Sequence, residues 1–373
     1  MTGSYILAAA RSAVTPRNGA LAAWKPHELG ALVALDCLHQ ANLPPESVDE
    51  LILGNILAIE GNLARIISLA MNLDPRVAGL TIDRQCASGL DAILLADALI
   101  RSGRANLVLA GGVESYTHRP ASFPYGEAIN PARPCLQPPF TPWPDADPDM
   151  IAAADALARQ FSITRAAQDD WACESHRKAC ARRDHLMDEI TSHDDTMPAV
   201  DTHAGRISAG LAARVRPILG SITAANTAIE ADGAAFCLIA SEQLARTTAE
   251  PVRIVHGATI GGHHDLPGQA PIQAIRTVLD HTHLTPHALT CAEIMEAFAV
   301  QALVNVRETG LDPSIVNRGG GALARGHPAG ASGAILAVRL VHELRNRAGY
   351  GLAAIAAAGG LATGVILESP RTG

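Results

Sequence analysis

Two residues far apart in the chain carry its clearest chemistry, Cys86 and His327. Cys86 lies in Asp83-Arg-Gln-Cys-Ala-Ser-Gly-Leu, where a predicted strand turns into a predicted helix. A thiol at a helix N-terminus meets unpaired N–H groups and the positive end of the macrodipole, and both favour thiolate. The same N–H groups can hold the oxyanion that forms when a thiolate attacks a carbonyl carbon. His327 lies in Asn317-Arg-Gly-Gly-Gly-Ala-Leu-Ala-Arg-Gly-His-Pro-Ala-Gly-Ala-Ser-Gly. Its glycines imply tight turns and a close backbone approach, and Pro328 fixes φ immediately after the imidazole. No Gly-Lys-Ser/Thr follows, so this is not a phosphate-cradling P-loop. Taken singly, each residue also has a structural reading, as a buried hydrophobe or a core histidine.

An internal repeat joins them. Cys86-Ala-Ser-Gly before an apolar helix matches Gly330-Ala-Ser-Gly before another, and Ala110-Gly-Gly closing a strand matches Ala358-Gly-Gly. Upstream, Leu43-Pro-Pro then Leu51-Ile-Leu mirrors Leu284-Thr-Pro then Glu293-Ile-Met. Each half therefore reads as the same strand–turn–helix–strand unit. Equivalent turns related by an approximate two-fold meet at one place, which puts thiol and imidazole within reach as a nucleophile–base pair.

The elements that must position them alternate. Strands are predicted at residues 5–9, 51–53, 80–83 and 106–110, with helices at 26–40, 63–72 and 88–102. The uncharged run 348–367 matches a membrane span in length, but its glycines make it two buried strands joined at Gly359–Gly360. This βαβ alternation predicts an α/β fold with a mostly parallel sheet. Residues 115–207 differ: a proline-rich loop over 116–147, helices at 150–161 and 165–183 with Thr164 as a cap, and a polar loop over 193–207. They read as an excursion over the core, where a lid or ligand-holding region would sit.

Composition narrows the functions. With 373 residues and 48% hydrophobic against 18% charged, the chain has mass for two or three core-sized units. A net charge of −8 and the lack of basic clusters with aromatics argue against nucleic-acid binding. The seven cysteines form no Cys-x-x-Cys pair, so no disulfide framework or zinc ribbon is expected, and a reducing cytoplasm fits. His263–His264 lacks a metal-binding frame, so no metal is expected there. Trp171 and Phe161 read as core packing, and Asp169, Asp170 and Glu174 as a solvated helix face.

The Cys86 loop, Gly111-Gly-Val-Glu-Ser, Asn226 to Asp232-Gly-Ala-Ala, Glu296-Ala-Phe-Ala and Gly326-His-Pro-Ala-Gly-Ala-Ser-Gly together resemble the thiolase family. The blocks occur in family order over nearly the whole chain. The resemblance implies duplicated βαβαβαββ halves in a five-layered αβαβα core. The halves are 1–114 plus 208–245 and 246–373, with 115–207 as an inserted loop domain holding coenzyme A. It implies acyl transfer between CoA thioesters with Claisen chemistry, through an acyl group on Cys86 that His327 activates. Backbone N–H groups of Cys86 and Ala358 would form an oxyanion hole. Coenzyme A serves as thioester substrate, with no further cofactor, and the chain would assemble as a homodimer or dimer of dimers, without membrane.

The pattern departs from the family at functional positions. Ala356 stands where the family carries a second catalytic cysteine in a Cys-x-Gly motif, with Ala358 in place of its glycine. Met295 replaces the asparagine of Asn-Glu-Ala-Phe, Asp149 a histidine before Met150, and Ala228 a serine that faces the CoA. Met150, Ala228 and Arg214 (with Arg216) are the CoA-contact candidates. Losing a general base costs about 10²–10⁴-fold, and Cys291, His263, His264 and Glu296 are candidate substitutes. The expected activity is acetyl-CoA acetyltransferase-type transfer with the carbon–carbon step impaired. The alternatives are transfer to a decarboxylation-derived carbanion or to an oxygen, nitrogen or sulfur nucleophile, thioester hydrolysis, or a non-catalytic CoA-binding subunit.

Overall fold

Strands with apolar residues on both faces must be covered on both sides. In this computed structural model, which describes residues 3–58, 60–123, 138–192, 196–248, 250–345 and 347–369, they are. The first half runs β1 (Ser4–Arg11), α1 (Pro26–Gln40), β2 (Glu50–Gly54), α2 (Leu63–Ala70), β3 (Leu80–Ile82), α3 (Ser88–Arg101) and β4 (Leu107–Ser115). After α4 (Met150–Gln160) and α5 (Arg165–Ala181) it closes with β5 (Ala231–Ser241). The second half runs β6 (Val252–Gly261), α6 (Ala270–Thr282), β7 (Leu289–Ile294), α7 (Ala299–Thr309), α8 (Ala329–Arg345), β8 (Gly349–Ala357) and β9 (Leu361–Ser369). The β8–β9 connection turns on Gly359 and Gly360, both at φ +80°.

Period-two alternation sorts the core into layers. Ile52, Val108 and Ile239 face inward with α3 and α8, while Leu51, Leu53, Leu109 and Leu238 face outward onto α1 and α2. In the second half, Ile294, Leu352 and Ile366 pack on α6. The result is helix, sheet, helix, sheet, helix, the five-layered arrangement that the resemblance implies. The first half follows βαβαβαββ. In the second, the third strand shrinks to one residue, Val316, bridging Ala292 in parallel. The sheets are also continuous: the strand order is β7-β8-β9-β6-β1-β5-β4-β2-β3, with β1 antiparallel to both β5 and β6. The sequence pattern predicted mostly parallel pairing, but β1, β5, β6 and β9 all pair antiparallel.

The central helices touch near their N-termini. A methyl group at Gly89 would lie 2.8 Å from both the Ala334 nitrogen and the Gly330 oxygen, so only a hydrogen fits. Glu114, at the end of β4, fastens the same junction. Its Oε2 accepts from Gly330 N (2.8 Å) and Ile56 N (3.2 Å), and its Oε1 from Asn55 Nδ2 (2.8 Å) and Leu57 N (3.1 Å).

The 115–207 region is tied down by buried charge. Arg11 of β1 donates to Glu189 (2.6 Å) and, as a fork, to Asp201 (2.7 and 2.9 Å). Arg339 of α8 donates to the other Glu189 oxygen (2.5 Å) and to Glu343 (3.1 Å). Two halves and the excursion thus share one carboxylate. The start of the polar loop predicted at 193–207, residues 124–137 of the proline-rich loop, and Cys135 lie outside the described residues.

Removing one member of this cluster leaves an unmatched buried charge. Glu189→Gln should cost about 3–5 kcal/mol of stability, measured by urea denaturation at neutral pH. The two guanidinium groups hold the Glu189 carboxyl at about 2. A depressed folded-state value gives stability that is present above the ordinary glutamate range and lost as pH falls from about 4 towards about 2. Glu189→Gln should flatten that acid limb, and equal midpoints for the two proteins would refute the assignment.

Candidate active site

The turn carrying Cys86 is built by its neighbours. Asp83 Oδ1 accepts from Gln85 N (2.8 Å), which holds Gln85 at φ +50°. Ser88 Oγ accepts from Arg84 N (2.7 Å) and donates to Gln85 O (2.6 Å). The thiol is thereby fixed at the mouth of α3. On the other side Gly326, at φ +113°, lets the chain swing so that His327 N donates to Ile229 O (2.9 Å).

These turns converge. His327 Nε2 lies 3.2 Å from Cys86 Sγ, and His327 Nδ1 lies 2.6 Å from Ser332 Oγ. The Ser332 hydroxyl donates to Pro328 O (3.1 Å), so its oxygen accepts from Nδ1–H. That hydrogen bond selects the tautomer with a bare Nε2 facing the thiol. Burial pushes the imidazole down to about 4, keeping it neutral and basic at pH 7. Burial, with the Glu114 carboxylate behind it, pushes the Cys86 thiol up to about 12, against the N–H groups of Cys86 and Ala358 that lie on the sulfur. The resting pair is therefore neutral, thiol beside imidazole.

Both residues open onto a cavity of about 620 Å³. Ala356, Ala357 and Ala358 at the end of β8 line it, as do Met150 and Ala228, so four of the positions singled out from sequence (Ala356, Ala358, Met150 and Ala228) meet around Cys86 and His327. Met295 and Arg214 do not line it. Met295 is buried, with its N–H on Ala354 O (2.9 Å), and Arg214 is exposed. Asp149 caps α4, its side chain accepting from Ala152 N (2.8 Å).

The candidate substitute bases lie elsewhere. Cys291 is in the core of β7, where burial pushes its thiol to about 12. Glu296 accepts from Trp171 Nε1 (3.0 Å), Ser175 Oγ (2.8 Å), Asn317 Nδ2 (2.7 Å) and Leu323 N (3.2 Å), which occupies its lone pairs. His263 is exposed and His264 half-buried, both are absent from the lining, and the described residues hold no group of three metal-ligating side chains. Asp169 is not solvated as its pattern suggested. It accepts from Arg165 Nε (2.6 Å) and Asn226 Nδ2 (3.1 Å), anchoring the segment that leads to Ala228. Sequence reasoning passed over Tyr116, Arg119, Thr227, Glu230, Phe298 and Gln301, which also line the cavity.

Comparison with known proteins places this geometry. Residues 4–243 match the family model described as thiolase, N-terminal domain, and residues 249–369 that described as thiolase, C-terminal domain. The steroid 3-ketoacyl-CoA thiolase FadA6 of Mycobacterium tuberculosis is 33% identical over 388 residues, covering 99% of this chain and 94% of its own length. An acetyl-CoA acetyltransferase of Shinella zoogloeoides is 35% identical over 393 residues, covering 99% of each. The crystal structure of the Acat5 thiolase from Ascaris suum in complex with coenzyme A superposes with a TM-score of 0.93 at 30% identity. That match covers 98% of this chain and 100% of the other. No helix among the described residues is long and apolar enough to cross a membrane.

The Ser332 contact makes a measurable demand. Ser332→Ala frees the imidazole to take the other tautomer, and kcat on acyl-CoA should fall on the order of tenfold or more. Ser332→Thr should restore it, with thermal unfolding unchanged in both. An unaltered kcat in Ser332→Ala would show that the hydroxyl does not orient His327.

Proposed function

The chain belongs to the thiolase family and is an acyltransferase acting on CoA thioesters, and from that premise we propose that Cys86 carries the acyl group. His327 Nε2 takes the thiol proton as Sγ attacks the thioester carbonyl. The oxyanion forms against the N–H groups of Cys86 and Ala358. Collapse breaks the bond between the acyl carbon and the CoA sulfur, and the imidazolium returns its proton to that sulfur, releasing CoA as the thiol. The observation that carries this reading is the 3.2 Å approach of Nε2 to Sγ in a cavity deep enough for a thioester arm.

The second half-reaction differs from family habit. Claisen condensation needs a base to remove a proton from the incoming acyl-CoA, and the Ala356 methyl group cannot move one. An acceptor that needs no second base fits this wall. One is a carbanion left by decarboxylation of a carboxylated thioester: CO₂ departs, the electron pair of the broken C–C bond stays on the α-carbon and attacks the acyl carbon, and Cys86 leaves as thiolate and takes a proton from solvent. Another is a hydroxyl, amine or thiol whose proton passes to His327 while Cys86 leaves as thiolate and is reprotonated from the imidazolium. Met150 and Ala228 would contact the pantetheine arm, and Arg214 the phosphates outside the cavity. Assembly as a homodimer or a dimer of dimers belongs to the same reading.

Intact-protein mass spectrometry after mixing with acetyl-CoA and longer acyl-CoAs tests the first step. A gain of one acyl group, absent in Cys86→Ala, is expected. No adduct at any chain length would overturn it and leave a CoA-binding subunit without catalysis. Ala356→Cys tests the second step and should raise thiolysis of a 3-ketoacyl-CoA by about 10²-fold or more. An unchanged rate would place the limitation elsewhere.

A further inference from the structure

One wall of the cavity holds hydrogen-bond donors that the acyl-transfer steps do not use. Tyr116 and Arg119 follow β4, and both line the cavity with Cys86 and His327. Asp232 of β5 fixes the turn they occupy. It accepts from Ser115 Oγ (3.0 Å), Thr117 N (3.0 Å) and the Thr117 hydroxyl. The Arg119 guanidinium lies 5.6 Å above the Tyr116 ring, a cation–π contact that stiffens both side chains.

Arg119 donates Nη1 to Glu230 Oε1 (3.1 Å), and among the described residues its Nε and Nη2 have no hydrogen-bond partner. The Tyr116 hydroxyl likewise has none. Glu230 is shared, since its Oε2 accepts from Arg17 Nη1 (3.0 Å). Arg119, the guanidinium in the lining, thus shares its carboxylate with Arg17. The other acid in the lining, Asp83, is engaged with Gln85 N and Nε2. Glu230 pairs through its backbone with His327, so the cluster is one rung from the base. Tyr116 lies close enough to Cys86 for charge on the sulfur to act on the phenol.

An arginine with Nε and Nη2 open beside an open phenol calls for an acceptor with two oxygens in a plane, as a carboxylate has. The CoA phosphates are separated from the thioester by the whole pantetheine arm, whereas Tyr116 and Arg119 line the same cavity as Cys86. We propose that Tyr116 and Arg119 form a subsite for a carboxylate at the far end of the transferred acyl group, making dicarboxylic acyl-CoAs the preferred donors. The proposal rests on the acyl-Cys86 reading for its kinetic consequence, but not for binding.

The probe is succinyl-CoA against butyryl-CoA, which have the same chain length and the same phosphates. Cys86 acylation should favour succinyl-CoA by about 10- to 100-fold in kcat/KM. Arg119→Leu should abolish that preference while leaving butyryl-CoA acylation intact, which also reports correct folding. Arg119→Lys should restore part of it, and Tyr116→Phe should weaken it. Equal rates for the two donors in the native enzyme would overturn the proposal. A variant that slows both donors alike would also overturn it, because it would assign Arg119 to the phosphates. Calorimetric binding of both thioesters to Cys86→Ala separates the two readings. Tighter binding of succinyl-CoA with no acylation of the native enzyme would uphold the subsite and sink the nucleophile.

Discussion

The geometry that joins Cys86 to His327 depends on how closely two helix N-termini approach. Gly89 of α3 and Gly330 of α8 meet at a distance that admits no side chain. Because each helix is preceded by a chemically loaded turn, that contact sets the separation of sulfur and imidazole. One added methyl group would push the helices apart by more than a 3.2 Å hydrogen bond tolerates. Glu114 acts on the same junction, fastening Gly330 of one half to Asn55, Ile56 and Leu57 of the other. The small side chains of this protein are thus a requirement of its catalytic geometry as well as of its packing.

Charge is distributed in two ways. Between Cys86 and His327, burial keeps both partners neutral. In the body of the molecule, buried charges are matched in forks and networks. Arg11, Arg339, Glu189, Asp201 and Glu343 cost desolvation individually but fix the excursion against both halves.

Much of this was legible in the sequence, for physical reasons. The duplicated Cys/Gly-Ala-Ser-Gly turns placed Cys86 and His327 together because a repeat carries three-dimensional information that one motif lacks. Helix α1 was readable to the residue because Pro26 starts it and the turn beyond Gln40 stops it. The continuity of the sheet through β1 was not readable, since strand neighbours are chosen by contacts between distant segments. Val316 escaped notice because a single bridging residue has no periodicity. Glu296 and Asp169 looked available or solvated, although each is consumed by donors from other parts of the chain. Tyr116 and Arg119 carry no motif of their own, and only folding brings them beside the sulfur.

The position of β1 has a consequence for biosynthesis. It is made well before its ladder partners, residues 235–241 and 252–254, yet lies inside the sheet between them. As the chain leaves the ribosome, this apolar strand and its terminal Arg11 cation wait without a ladder until residues 235–254 have been made. Completion of the fold is consequently delayed to a late stage of translation. During that interval the exposed leading strand is the segment most in need of a chaperone.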